Sequence, residues 1–192
     1  MHILSPLLFT ISANTDNFVV GLSYGIKKIK IGLVSNLLIA LISLAGTILS
    51  MSVGKIIFDF VPENASNLIG SIILILIGSW TIVKPLFKKI RSDDVLENPE
   101  KVDKDNSSSI DAKESVTLAF ALTINNVGLG IGASITGLNI VITSSLTFIF
   151  SLSMIMIGYV LGSYCLSKVF SKKATIISGL IIIALGIYEM FI

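Results

Sequence analysis

Histidine and cysteine are almost missing from this chain, which has one of each, His2 and Cys165, among its 192 residues. A lone cysteine excludes an intramolecular disulfide, and so few soft donors argue against a zinc or copper site. The apolar segments also lack a Ser-His pair, an HExxH motif and paired carboxylates that could support nucleophilic or acid–base chemistry. We therefore expect neither an enzyme nor a permanently bound cofactor.

Charge is scarce as well. Asp, Glu, Lys and Arg make up 14% of the chain, whereas hydrophobic residues make up 53% and the mean hydropathy is +0.92. This balance is typical of an integral membrane protein, whose partner is the lipid bilayer and not nucleic acid. The length leaves room for about six membrane helices of roughly 20 residues each. We place the apolar windows at residues 3–26, 33–58, 68–87, 116–138, 140–166 and 174–192.

The basic residues are concentrated in alternate connections between these windows. They lie at the end of the first, third and fifth windows or in the connections after them, and Lys55 is the one exception among the 14 Lys and Arg residues. Basic residues favour the cytoplasmic side of a membrane. The pattern therefore predicts a multi-pass protein of the cell membrane with both termini outside.

A polar linker at residues 90–115 interrupts the apolar windows. Its acidic, lysine and serine residues show no helical or strand period, which predicts a mobile cytoplasmic segment. The acidic residues could loosely bind cations or a partner, although a run of charged residues is usually only solvated.

The two halves that flank this linker, residues 1–89 and 116–192, are related in sequence. Three ungapped pairs of segments carry the similarity: 13–25 with 122–134, 43–54 with 151–162, and 69–80 with 177–188. Successive three-helix repeats must lie in opposite orientations in a bilayer, because three is odd. We therefore predict an all-α integral membrane protein with six transmembrane helices in two inverted-topology repeats, an architecture typical of secondary transporters.

Asp16 is the only charged residue near the middle of an apolar window. A carboxylate at that depth costs about 2.5–3.5 kcal/mol on insertion scales and usually marks an ion or proton path. Small residues recur every four positions around it and around the matching part of the fourth window, which predicts a close crossing of helices one and four. The candidate metal ligands are Asp16, Asn17, Asn125 and Asn126, and the candidate helix-packing residues are Gly21, Gly25, Gly128, Gly130 and Gly132.

Oxygen donors of this kind suit hard cations such as Mg, Ca or Mn. An alternative interpretation is that the amides only hydrogen-bond two helices together.

Three segments carry a family resemblance. They are S-x-x-x-D-x-F-x-V-G at residues 12–21, which SYGIKKIKI follows, then TINNVGLGIGAS at 123–134, and GLIIIALGIY at 179–188. Their order and spacing resemble the bacterial manganese efflux pumps of the MntP type. Within that family, VGLSYGIKKIKI and GIGASITG are most similar to the sporulation-associated YtaF branch.

The resemblance implies a six-helix inner-membrane exporter whose transported substrate is Mn²⁺ or another hard cation, with Asp16 as the acid of the first motif. Asn125 stands where the second motif has an acid, and the second window lacks the further acid that the exporters carry there. A single carboxylate balances half the charge of a divalent ion. The alternative is a sporulation membrane protein that has a structural or assembly role and does not transport.

Overall fold

In the part of the chain that the structure describes, the fold is helical apart from one short pairing of strands. The structure, a computed structural model, describes residues 3–60, 62–87, 99–105, 107–164 and 169–191. Its α-helices are α1 (Leu4–Ala13), α2 (Thr15–Lys27), α3 (Leu33–Phe60), α4 (Glu63–Phe87), α5 (Ala112–Ile135), α6 (Ile140–Tyr164) and α7 (Val169–Met190). The other elements are β1 (Lys30–Ile31), β2 (Ser109–Ile110) and a 3-10 helix at Pro99–Val102.

The long apolar runs form these helices, and the predicted all-α class is confirmed. Among the described residues, α3, α5 and α6 are each long and apolar enough to cross a membrane, whereas α4 and α7 contain the shorter apolar stretches Leu68–Val83 and Ile176–Met190. Each helix from α3 to α7 overlaps one predicted window. The first window instead contains two helices, α1 and α2, which meet at Asn14.

The most extensive helix contacts all join the two halves of the chain. α2 packs along α6, α3 along α5, and α4 along α7. At the first of these seams, a methyl group on Gly21 would collide with the carbonyl group of Ile155, and one on Gly158 with that of Phe18. Small residues thus let the backbones of α2 and α6 touch directly.

The predicted close crossing of helices one and four through their glycine stripes is wrong. Gly21 and Gly25 lie against α6, Gly130 lies against α3, and Gly128 and Gly132 lie against side chains of α4. A stripe of small residues shows which face of a helix can be approached closely, but it does not show which helix approaches it.

Two apolar cores lie along the bundle, with polar residues between them. Leu122 belongs to one core and Leu129 to the other, so residues 123–126 of α5 lie between the two. The first two helices divide in the same way, because Phe9 belongs to the second core and Val20 to the first. Polar side chains near residue 14 and near residue 125 are therefore at the same level of the bundle.

The segment before α5 is folded where the structure describes it. β2 pairs in parallel with β1, and Val102 and Ile110 are buried in the same core as Tyr24 and Ile29. The prediction of a mobile linker is therefore wrong for residues 99–105 and 107–115, while residues 90–98 and 106 of that prediction lie outside the described residues. Isolated apolar residues such as these complete a core without producing any sequence period.

A capping box starts α5 earlier than the apolar window suggests. The Asp111 carboxylate accepts a hydrogen bond from the backbone N–H of Glu114 at 2.7 Å, and the Glu114 carboxylate accepts one from the N–H of Asp111 at 3.2 Å. This reciprocal pair satisfies two N–H groups at the helix end. Just before it, hydrogen bonds from the side chain and backbone of Ser107 hold the pKa of Asp105 below its ordinary value.

Candidate functional site

The break between α1 and α2 is the centre of the candidate site. Asn14, which is 2% exposed, separates the two helices with φ −95° and ψ 9°. Its amide donates to the carbonyl oxygen of Thr10 at 2.8 Å and accepts from the amide of Asn17 at 3.0 Å. A polar break of this kind is tolerated at membrane depth only where other groups satisfy the backbone.

Side chains from the other half of the chain supply those groups. Ser178 of α7 donates to the carbonyl oxygen of Ser12 at 2.9 Å, and Asn126 of α5 donates to that of Ala13 at 2.8 Å. Both donors come from the C-terminal half, whereas the break lies in the N-terminal half. The polar groups at the break therefore hold the two halves together at one level.

Asp16 lies in the first turn of α2, where the partial positive charge of a helix N-terminus favours a carboxylate. The side-chain nitrogen of Asn125 donates a hydrogen bond to this carboxylate. Asp16 is half-buried and Asn125 is exposed. The pair therefore lies at the edge of the helix bundle, outside its buried interior.

The four predicted ligands do not form one cluster. Asn17 is 2% exposed and donates to the hydroxyl oxygen of Ser151 in α6 at 2.8 Å as well as to Asn14. Asn126 bonds the break, and only Asp16 and Asn125 bond each other. The arrangement is thus an outer pair with a carboxylate and an inner set of neutral amides and hydroxyls.

A small cavity lies beside the inner set. Its volume is about 20 Å³, which suffices for roughly one water molecule or one dehydrated ion. Its polar lining includes the amides of Asn14 and Asn126 and the hydroxyls of Ser43, Thr47, Thr123 and Thr147. The buried hydroxyl oxygens of Thr123 and Thr147 have no hydrogen-bond partner among the described residues. The cavity can therefore offer neutral oxygen donors to a polar guest.

The sequence interpretation missed Asn14, Ser151 and the threonines of the cavity as site residues. Part of the signal was present, because the internal alignment matches Ser43 with Ser151 and Asn17 with Asn126. Asn17 bonds Ser151, and Asn126 and Ser43 line the same cavity. Residues that the internal alignment matches in this way are expected to make equivalent contacts in the two halves. The cavity threonines carry no such signal, since hydroxyls within apolar helices commonly bond their own backbone.

Comparison with known proteins places this architecture among membrane proteins. The chain matches a family described as "Putative manganese efflux pump" over residues 1–82 and 93–190. It is 29% identical over 211 residues to "Probable sporulation protein YtaF" of Bacillus subtilis (strain 168), which covers 99% of this chain and 100% of that protein. It is 30% identical over 183 residues to "Putative manganese efflux pump MntP" of Crocosphaera subtropica, covering 89% of this chain and 86% of that protein. No solved structure matches the chain.

Proposed function

The chain belongs to the manganese efflux pump family, and on that premise we propose that it is a multi-pass membrane transporter that exports Mn²⁺ or a similar divalent cation. One observation carries this proposal. An ionisable side chain, Asp16, lies at a polar break between two helices and bonds Asn125 of the other half. Broken helices that meet between two repeats form the substrate sites of many secondary transporters.

The helix contacts support a two-fold relation between the two halves, because contacts recur between the aligned counterparts of the residues that make them. Three membrane helices in each half, an odd number, would then make the repeat inverted. Gly21 lies against Gly158, and their counterparts by alignment, Gly130 and Ser50, also touch. The same holds between α4 and α7, where Gly78 lies against Gly179 and Ser71 lies against Gly186. A pseudo-two-fold axis between the halves would produce this pattern.

The direct bond between Asp16 and Asn125 fits the same axis. The alignment that pairs residues 13–25 with 122–134 makes these two residues counterparts. Counterparts that touch each other must lie beside the axis. In transporters built from inverted repeats, the substrate site lies at this position, between the repeats and near the bilayer midplane.

The donors suggest how an ion would be handled. Asp16 supplies the one carboxylate of the outer pair and acts as a charged ligand or a proton carrier, and the amides and hydroxyls behind it supply neutral oxygens. Mg²⁺, Ca²⁺ and Mn²⁺ favour such hard donors. The cavity is far too small for an ion that keeps six waters, since it has room for only about one. Passage therefore requires the ion to lose water or the helices lining the cavity to move apart.

An export assay with a matched pair of variants tests this function. In bacteria that lack their own manganese exporter, we expect the protein to restore growth in high Mn²⁺ and to lower cellular Mn. Asp16→Asn should lose both effects, because it removes the carboxylate while an amide oxygen can still accept the bond from Asn125. Asp59→Asn removes an exposed carboxylate at the end of α3 and should export like the wild type.

Cellular Mn, Mg, Ca and Fe would be measured together at equal protein levels in the membrane. Equal contents of all four metals in cells with and without the wild-type protein would refute export. Unchanged export by Asp16→Asn would instead show that Asp16 only makes a structural hydrogen bond and takes no part in transport.

A role in sporulation is the second candidate. It is favoured by the similarity over almost the whole chain to a protein named for sporulation. A scaffold that has lost the family acid at Asn125 could serve in assembly without transport. Deletion of the gene in its own host distinguishes the candidates, since a sporulation defect with unchanged metal contents supports this role alone.

A further inference from the structure

A second set of cation donors lies outside the helices of the proposed transport site, in the loop that leads into α5. Oxygen-bearing residues occupy positions 1, 3, 5, 7, 9 and 12 of a twelve-residue segment, namely Asp103, Asp105, Ser107, Ser109, Asp111 and Glu114. This is the order of ligands in the EF-hand calcium loop, which ends in a glutamate at position 12. The spacing is a property of the sequence and does not depend on the fold.

The fold brings the acidic members of this series together. Carboxylate oxygens of Asp103, Asp105 and Glu114 lie within 4.8 Å of one another. Asp103 and Glu114 are each only 8% exposed. Two buried carboxylates at this separation repel each other, and a cation between them would remove that repulsion.

The backbone of the loop also matches what a calcium loop requires. Position 6 of such loops is normally glycine, because the chain turns sharply there. In this chain position 6 is Ser108, and its φ of 58° lies in the left-handed region that glycine usually occupies. The hydroxyl of Ser107 donates to the carbonyl oxygen of Ser109 at 2.9 Å, so the donors of positions 5 and 7 are adjacent.

Backbone N–H groups hold the acidic side chains in place. Asp103 accepts hydrogen bonds from the N–H groups of Ser107 at 2.9 Å and Ser108 at 3.0 Å. Glu114 accepts one from Lys104 at 2.7 Å. Ile110 also anchors the loop, because its side chain is only 3% exposed. The carboxylates are thus positioned before any ion arrives, which lowers the entropic cost of binding.

From the ligand order and the converging carboxylates together, we propose that residues 103–114 form a calcium-binding loop. The side chains of Asp103, Asp105, Ser107 and Glu114 and the carbonyl oxygen of Ser109 are its protein ligands. Ca²⁺ accepts six to eight oxygen ligands in a flexible geometry, whereas Mg²⁺ requires a tighter octahedron and loses water reluctantly. A site that mixes carboxylates, a hydroxyl and a carbonyl in a loop favours Ca²⁺.

The position of the loop gives the ion a structural effect. The N–H of Lys30 donates to the carbonyl oxygen of Ser108 at 2.9 Å, and the hydroxyl of Ser35 donates to that of Ile110 at 2.7 Å. The loop therefore contacts the connection after α2 and the start of α3, and it continues directly into α5. Bound Ca²⁺ would stabilise the ends of the two helices that carry Asp16 and Asn125.

Calorimetric titration of the purified full-length protein with CaCl₂ tests the proposal. The protein is first freed of metal with a chelator and kept in detergent at constant ionic strength. We expect one Ca²⁺ per chain, with a dissociation constant between about 10⁻⁵ and 10⁻³ M because the loop has few carboxylates and lacks the glycine. Mg²⁺ should bind at least tenfold more weakly. Ca²⁺ should also raise the Tm.

Three variants make the result specific to the loop. Asp105→Asn should weaken Ca²⁺ binding about tenfold or more, and it should leave folding unchanged because Asp105 is exposed. Asp59→Asn removes one exposed negative charge elsewhere and should bind like the wild type. Asp16→Asn distinguishes the loop from the membrane site, since its carboxylate belongs to the transport site.

The proposal fails if the wild type binds no Ca²⁺ at concentrations up to about tenfold above the weakest expected dissociation constant. It also fails if Asp105→Asn binds Ca²⁺ as tightly as Asp59→Asn does. Equal affinities for Ca²⁺ and Mg²⁺ would contradict a calcium site and show that the loop attracts divalent cations only as an acidic surface. Loss of binding in Asp16→Asn alone would place the ion in the membrane instead. None of these results depends on whether the protein exports manganese.

Discussion

Asn125 is a neutral residue at a point of contact between the two halves where its aligned counterpart is charged. Its counterpart Asp16 is a carboxylate, and the two side chains bond directly. The sequence predicted that these residues would meet, but it did so from a close crossing of glycine stripes, and those glycines lie against other helices. It did not predict that Asn17 would turn inward and bond Ser151. Small residues at every fourth position show which face of a helix is used, but not which side chain on a neighbouring helix an amide bonds.

Restoring the missing acid should strengthen the binding of a divalent cation. Asn125→Asp places a second carboxylate against Asp16, so that the pair balances both charges of Mn²⁺ while repelling each other in its absence. We expect Mn²⁺ affinity to rise about tenfold, which corresponds to about 1.4 kcal/mol. Titration of the purified variant and the wild type with Mn²⁺ measures this difference. Equal affinities would show that the pair does not contact the ion.

At the scale of helices, hydropathy predicted most of the elements but not the break. A window average is insensitive to one polar residue, so α1 and α2 were read as a single helix. The break depends on donors such as Asn126 and Ser178 that are distant in sequence. The folded loop before α5 was missed for a similar reason, because Val102 and Ile110 are single apolar residues whose partners lie on other elements.

The seam between α2 and α6 should be intolerant of even one methyl group. At Gly158 the added carbon would meet the backbone of Phe18 and Leu22, which cannot move away as a flexible side chain can. Gly158→Ala should therefore destabilise the protein by about 1–3 kcal/mol. Gly32→Ala is the matched control, because its nearest neighbour is a side-chain oxygen of Ser35 at 4.0 Å. Thermal unfolding in detergent should show a lower Tm for Gly158→Ala only, and equal Tm values would contradict the tight seam.

At the scale of the whole molecule, the halves interlock rather than lie side by side. Every major seam takes one helix from each half, so neither half has its apolar faces covered without the other. The family relationship and the apolar helices agree on a multi-pass membrane protein. The inverted orientation of the halves is a prediction from charge and alignment, and it requires a direct test.

Labelling of single cysteines tests that topology, because the chain has one natural cysteine, Cys165, that can be replaced by serine. In intact cells, an impermeant thiol reagent should label Pro62→Cys and Phe191→Cys, which the positive-inside rule places outside. Lys113→Cys should react only after the cells are opened. All three positions are exposed in the structure. Labelling of Lys113→Cys in intact cells, or protection of Phe191→Cys, would contradict six helices with both termini outside.

The pairing of β1 with β2 also has a consequence for the order of assembly. Synthesis proceeds from the N-terminus, so Lys30–Ile31 emerges before α3 and α4, and Ser109–Ile110 emerges after them. The entropic cost of joining such distant segments grows only slowly with their separation. The pairing can therefore form only after α4 and the segment that follows it have been made, just before α5 is synthesised. Until then Tyr24 and Ile29 lack the partners Val102 and Ile110 that bury them in the finished protein.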